Sequence, residues 1–447
     1  MYVVQDLKLD SFPLAAFIQM SQRFDPVYIF DAPDQPTLKI ALGAIDSFEP
    51  QTNQTAFNDI SNWYAHIAQS IPDKYMQDLA VVGGLPFQKN GQASIRTDVW
   101  RDLDHGYFFL PQLLIHIAKD DYKAHIFSVG TTFDNTQQQL QSFLTNLKLL
   151  AAHADTGSIS KLHLQQKKEL ALQHWQSLVK QTVTQLNTTA NLQKVVLSRQ
   201  MQVQFTGTLE LKQLFNNLRR ANLNTYHVIL KLRGSVFVSA TPERLLKIAN
   251  HHLYTAAVAG TIRRGTTPDS DIRYGQTLLA DQKNLQEHQY VVQNIIDNLR
   301  RLKLQPHYAT RPQLLKNPNV QHLYTPITSI LPKQISAFEI LQQLHPTPAL
   351  GGLPQTLASQ VIAAVENYDR GLYGAPIGYL QFDGVGEFVV GIRSALLRQQ
   401  TAWLFAGAGI VADSDAAAEV LETRLKFQPM LNTLFSTDQR GDHANGN

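Results

Sequence analysis

The chain has 447 residues, 44% hydrophobic and 17% charged, enough for a sizeable core arranged as several domains or one large one. A formal net charge of +3 is close to balance and gives no support for nucleic-acid or membrane-surface binding. With no cysteine, a disulfide framework and thiolate metal sites are excluded.

The N-terminal MYVVQDLKLD lacks the basic-then-apolar pattern of a secretory leader, and no apolar run approaches the roughly 18 residues that span a bilayer. These features predict a soluble cytoplasmic protein. Residues 1–155 read as mixed strand and helix. KIALGAIDSF (39–48), LAVVGGLPF (79–87), GYFFLPQLLIHIA (106–118) and HIFSVGTTF (125–133) are strand candidates, and leucines at helical intervals predict a helix over 135–152. The less apolar stretch 151–169 is the best candidate for a boundary. Beyond it, Leu172, Trp175, Val179, Val183 and Leu186 mark a helix, and strands follow densely at 194–205, 226–232, 235–240, 244–248 and 253–260. A long helix is predicted over 271–301, then strands at 320–331, 374–383, 386–398 and 401–411. Arg233–Gly234 and Asp383–Gly384 read as hairpin turns. Strands in hairpins separated by blocks of helix predict an α+β fold with antiparallel sheets. The polar tail 436–447 reads as disordered.

The last strand ends in Gly407 and Gly409, where backbone can approach something small, and Asp413-Ser414-Asp415 then starts a helix. Glu419, Glu422 and Lys426 share one face of that helix. Several other residues have chemical potential. Lys194 opens an apolar strand, where burial would favour a neutral amine able to take a proton. Glu243, after a strand and a proline in SATPERLL, could keep its proton if held in apolar surroundings. Glu287 and Glu422, both on helices, could offer two carboxylates to Mg²⁺. HPTPALGGLP (345–354) is a rigid loop feeding a helix near Gln355, suited to presenting N–H groups to anions. Arg393 is expected on a strand face between Gly391 and Ala395, with room for a bidentate carboxylate. Taken singly, each has an ordinary reading, such as a strand-edge lysine or a turn glutamate paired with Arg244. No phosphate-cradling loop and no zinc-spaced histidine pair is present.

Together, KVVLSR, SATPERLL, AGTIRRG, KNLQEH, HLYTPI, HPTPALGGLP, GYLQFDGVGEFVVGIRSALL and AGAGIVADSDAAAEVLETRLK resemble the chorismate-binding enzymes, in that family's order, from Lys194 to Lys426. HLYTPI and HPTPALGGLP are similar to the isochorismate-synthase branch rather than the amine-transferring branches. The resemblance implies one large α+β domain, two antiparallel sheets packed face to face with helices outside. Residues 1–190 would form a variable N-terminal region and 191–435 the catalytic region. It implies Lys194 as water-activating base, Glu243 as general acid, and Glu287 and Glu422 as Mg²⁺ ligands, with Glu419 assisting. Substrate contacts are implied at Gly260, Thr261, His322, Ala349, Leu350, Gly407 and Gly409, with Arg393, Lys426 and Tyr379 facing carboxylates. Asn284 departs from the family, standing where many relatives carry an acid. The activity implied is chorismate to isochorismate for menaquinone, by a monomer without a glutaminase partner. Salicylate synthase, aminodeoxychorismate synthase, a siderophore role and a catalytically inactive chorismate-binding protein are the alternatives.

Overall fold

The computed structural model describes residues 1–51, 55–87, 98–103, 105–152, 161–316 and 320–435. Their strands form one 20-stranded network, which runs as two antiparallel sheets. In the first, Val3–Leu9, Ala124–Gly130, Tyr107–Ala118, Thr37–Phe48, Val27–Asp31, Tyr226–Leu232, Ser235–Thr241, Ser394–Arg398, Thr401–Ile410, Lys194–Thr206 and His163–Glu169 pair in that order. In the second, Ala80–Gly84, Pro376–Gln381, Gly386–Val390, Arg244–Ala249, His252–Arg263 and Val320–Ile330 follow one another. The long strand Tyr107–Ala118 joins the two, pairing with Ala80–Gly84 at its start.

The period-2 pattern divides the core. Tyr28, Phe30, Val228, Leu230 and Phe405 point inward and share one cluster with Leu246, Leu253, Ala257 and Val389 of the second sheet. Their neighbours Val27, Ile29, Ile229 and Leu404 point outward against Phe17, Phe143, Phe215 and Phe427. Those phenylalanines come from the helices Leu14–Ser21, Phe133–Ala152, Leu211–Ala221 and Ala416–Phe435. The fold is therefore α+β, with sheets face to face and helices outside. Each buried side chain of this size contributes about 1.5–3 kcal/mol of transfer free energy.

Two local expectations need correction. In the stretch 151–169, His163–Glu169 is a strand paired with Lys194–Thr206. Residues before 190 are interleaved with later ones: Val27–Asp31 pairs with Tyr226–Leu232, and Ala80–Gly84 with Pro376–Gln381. The helix expected over 271–301 is two, Pro268–Ala280 and Gln282–Arg301. They divide at Asp281, whose extended backbone and side chain, accepting from Asn284 N–H, start a new helix. The strand expected over 386–398 breaks at Gly391–Arg393, where the chain changes sheets. The tail 436–447 lies outside the described residues.

Candidate active site

The chain crosses between the sheets at two adjacent places. After Ser235–Thr241 it passes Glu243 and enters the second sheet at Arg244–Ala249. After Gly386–Val390 it passes Arg393 and enters the first at Ser394–Arg398. The crossings are tied together: Ala240 N–H donates to the Arg393 carbonyl (3.1 Å) and Val390 N–H to the Glu243 carbonyl (3.0 Å). Arg393 has φ +48°, a left-handed conformation that costs an arginine about 1–3 kcal/mol. It therefore does not share a continuous strand face with Gly391 and Ala395. Among the described residues its guanidinium has no hydrogen bond or ion pair, and burial lowers its pKa against the opposing pull of Tyr373 and Glu422. A half-buried guanidinium with no hydrogen-bond partner is suited to receive an anion.

Glu243 is half-buried. Burial pushes its carboxyl up to about 7, against the opposite pull of Thr347 and the Lys194 charge. It is not Arg244's surface partner, since Arg244 pairs with Glu387 (Nε to Oε1, 2.7 Å) and Asp34. Lys194 does not stand in purely apolar surroundings: its Nζ is 3.0 Å from Glu287 Oε1 on the helix Gln282–Arg301.

The two glycines of the last strand make room for protein side chains rather than for open backbone approach. A methyl at Gly409 would come within 2.6 Å of Lys194 Cε, and one at Gly407 within 2.8 Å of the Tyr373 hydroxyl. Lys426 Nζ donates to the Gly407 carbonyl (2.7 Å) and pairs with Glu422 (2.6 Å), holding the C-terminal helix against this strand. Asp415 starts that helix by accepting from Ala417 and Ala418 N–H.

Among the described residues no three His, Asp or Glu side chains form a ready metal cluster; Glu287 and Glu422 are each engaged by a lysine. Carboxylate oxygens are the donor type that a hard divalent cation takes, and Glu419 and Glu422 lie near enough for their charges to interact. Glu419 Oε1 accepts from Ser414 (2.8 Å), while Oε2 is buried without any partner. Burial raises the Glu419 pKa and the nearby Glu422 adds to it, with Ser414 opposing. An orphaned carboxylate oxygen beside a second carboxylate is an arrangement that a cation would relieve.

Gly260, φ +74° at a β-bulge, turns the strand His252–Arg263 so that Thr261 faces His322. Thr261 Oγ1 and His322 Nδ1 are 2.8 Å apart. Burial lowers the His322 pKa and the Arg393 charge adds to it, while a hydrogen bond with the Gly260 backbone opposes. In the loop 345–354, Ala349 is exposed. Leu350 turns inward, its carbonyl accepting from Arg370 Nη1 (2.8 Å). Tyr379 stands elsewhere, buried against Phe30 with Lys39 Nζ 4.6 Å from its ring centroid, and its phenol is raised by burial and by Glu387.

A tyrosine near these groups is Tyr373, which the sequence pattern did not single out. It is 4% exposed, and its phenol is raised chiefly by burial, with the Arg370 charge opposing, Glu366 adding, and smaller effects from Arg393 and Glu243. The available signal is its place between glycines in GLYG, six residues before Tyr379.

Fold and site define a class: the chain matches the Chorismate binding enzyme family over residues 2–435 and belongs to that family. Among its relatives is isochorismate synthase MenF of Bacillus subtilis, 34% identical over 76% of this chain and 72% of the relative. The MenF protein of Haemophilus influenzae is 28% identical over 97% of this chain and 91% of its own. The solved structure of Escherichia coli MenF, described as the menaquinone-specific isochorismate synthase, superposes with a TM-score of 0.80 at 26% identity, covering 97% of this chain and 95% of that one. No helix of the described residues is long and apolar enough to cross a membrane.

Proposed function

We propose that the chain is a Mg²⁺-assisted isochorismate synthase, converting chorismate to isochorismate for menaquinone synthesis. One observation carries this reading. Glu243, at the seam between the sheets, lies near enough to Lys194 for the lysine's charge to act on its carboxyl, and burial pushes that carboxyl up to about 7. A base and a protonated acid serving one ring are what replacement of one hydroxyl by another requires.

In this reading Lys194 takes a proton from water as its oxygen bonds to C2 of the ring. The double bonds shift, and the C4 hydroxyl leaves as water with the proton of Glu243. One water enters and one departs, so substrate and product are isomers. The unpaired Arg393 guanidinium would hold a carboxylate, with the Tyr373 hydroxyl and the Thr261–His322 pair lining the cleft. Glu287, Glu422 and Glu419 would hold Mg²⁺, which would supply positive charge opposite the ring carboxylate. Lys426 would orient Glu422. Water as nucleophile needs no ammonia-supplying subunit, so a single cytoplasmic chain suffices. The similarity to menaquinone-type relatives across the N-terminal region supports that pathway over siderophore synthesis.

The test is chromatography of products from chorismate and Mg²⁺, with and without ammonium. Isochorismate alone is expected in both. An aminated ring, or salicylate with pyruvate, would overturn the reading in favour of another branch.

A further inference from the structure

Beyond the residues that face the cleft, a fully buried ion pair lies behind it. Arg370 and Glu366 are four residues apart in the irregular segment just after the helix Gln355–Val365, with side chains 0% and 2% exposed. Glu366 receives Arg370 Nε at Oε2 (2.9 Å) and Nη2 at Oε1 (2.6 Å). Arg370 also donates from Nη1 to the Leu350 carbonyl (2.8 Å) and from Nη2 to the Val196 carbonyl (2.7 Å). Glu366 Oε1 further accepts from Ser198, through N–H (2.7 Å) and Oγ (3.0 Å).

These contacts lie at a gap in the sheet. On this edge the strand Lys194–Thr206 pairs with Gly352–Leu353 at residues 194–195 and with His163–Glu169 from residue 201 onward. Between those partners, Val196 N–H donates to the Gly351 carbonyl, whereas the Val196 carbonyl and the Ser198 N–H go to Arg370 and Glu366. The two side chains thus take the place of a missing strand and meet backbone groups that burial would otherwise leave unsatisfied.

The same guanidinium fixes two segments of the site to each other. Val196 is two residues from Lys194. Leu350 closes the turn begun by Thr347, its N–H donating to the Thr347 carbonyl (2.9 Å). The segment carrying the pair continues directly to Tyr373, whose N–H donates to the Arg370 carbonyl (2.8 Å).

We propose that Arg370, held in register by Glu366, is a positioning residue that places Lys194 by tying its strand to the loop 345–354. A structural filler would need only bulk and neutrality there. A positioning role needs the planar fork, because three acceptor groups in different directions are met by one rigid guanidinium, which a single ammonium cannot reproduce. The inference rests on the isochorismate synthase reading above.

The test uses the full chain carrying Arg370→Lys and, separately, Glu366→Asp, which keeps all charges and shortens the carboxylate by one methylene. Turnover, KM for chorismate, thermal melting and chorismate binding are compared with the parent. The expected result for each folded variant is a kcat lower by about tenfold to a hundredfold, the scale of an ångström-level misplacement, with KM within about threefold. Parent-like kcat in either folded variant overturns the proposal, whatever its melting temperature. Equal losses in kcat and in chorismate binding also overturn it, since they point to general loosening. If Arg370→Lys does not fold, the milder Glu366→Asp carries the test. Failure of the parent to make isochorismate would instead remove the underlying reading, a result visible before any variant is made.

Discussion

At the scale of single residues the account turns on Glu243. Its carboxyl is pushed up to about 7 by burial, so it is protonated below that pH and loses its proton as pH rises through it. Activity that depends on this proton should fall above about pH 7. Glu243→Gln keeps the shape but cannot deliver a proton, so turnover should drop by about two to four orders of magnitude with chorismate binding retained. Stability should also fall as pH rises. Between the ordinary value of 4.5 and about 7 the unfolded chain releases a proton that the folded chain keeps, so this group lowers stability as pH rises through that window. The glutamine variant should therefore melt higher than the parent above pH 7, by up to about 3 kcal/mol. Thermal melts across pH 5–9 with matched rate measurements check both; a variant with less than threefold lower turnover would remove Glu243 from the chemistry.

At the scale of elements, the last strand is shaped around Lys194. Gly409→Ala would set a methyl 2.6 Å from Lys194 Cε and 3.3 Å from Nζ. The lysine end is flexible, so the fold should survive while the amine is displaced, lowering kcat by roughly tenfold to a hundredfold. Unchanged turnover in a folded Gly409→Ala enzyme would show that the lysine's placement is unimportant. This element also marks what can be read from the chain. The glycines, the Asp415 cap and the carboxylate face of the C-terminal helix are local patterns and are legible. The break at Arg393 is not, because GEFVVGIRSALL keeps strand character on both sides; its interruption comes from pairing with different sheets, Gly386–Val390 with one and Ser394–Arg398 with the other. The split at Asp281 is hidden for a different reason: apolar spacing continues across it, and a single capping side chain decides the boundary. Arg370 and Glu366 stand four residues apart, but the backbone groups they meet lie 20 to 174 residues away, so the bracing role has no local signal.

At the scale of the whole molecule, the site exists because two sheets share one core and exchange strands at a seam. The carboxylates proposed for Mg²⁺ approach that seam from two helices far apart in sequence, Glu287 from Gln282–Arg301 and Glu422 from Ala416–Phe435. A cation joining them should stabilise the entire fold by about 2–3 kcal/mol at a hundredfold excess over Kd. Glu422→Gln should lose most of that Mg²⁺-induced rise in melting temperature while melting normally without the metal. An undiminished rise in the variant would remove Glu422 from the metal site. The class of fold is readable from the alternation of strands and helices. The interleaving of residues 1–190 with both sheets is not, because strand order is set by long-range pairing that periodicity does not encode.

The most direct test of the central claim, that Lys194 and Glu243 exchange a solvent water for the C4 hydroxyl, is turnover of chorismate in water enriched in heavy oxygen, with mass analysis of the product. The account predicts isochorismate carrying one solvent oxygen, at C2, and no labelled product from Lys194→Ala. Product bearing only its original oxygens, or equal labelling by the Lys194→Ala enzyme, would contradict it.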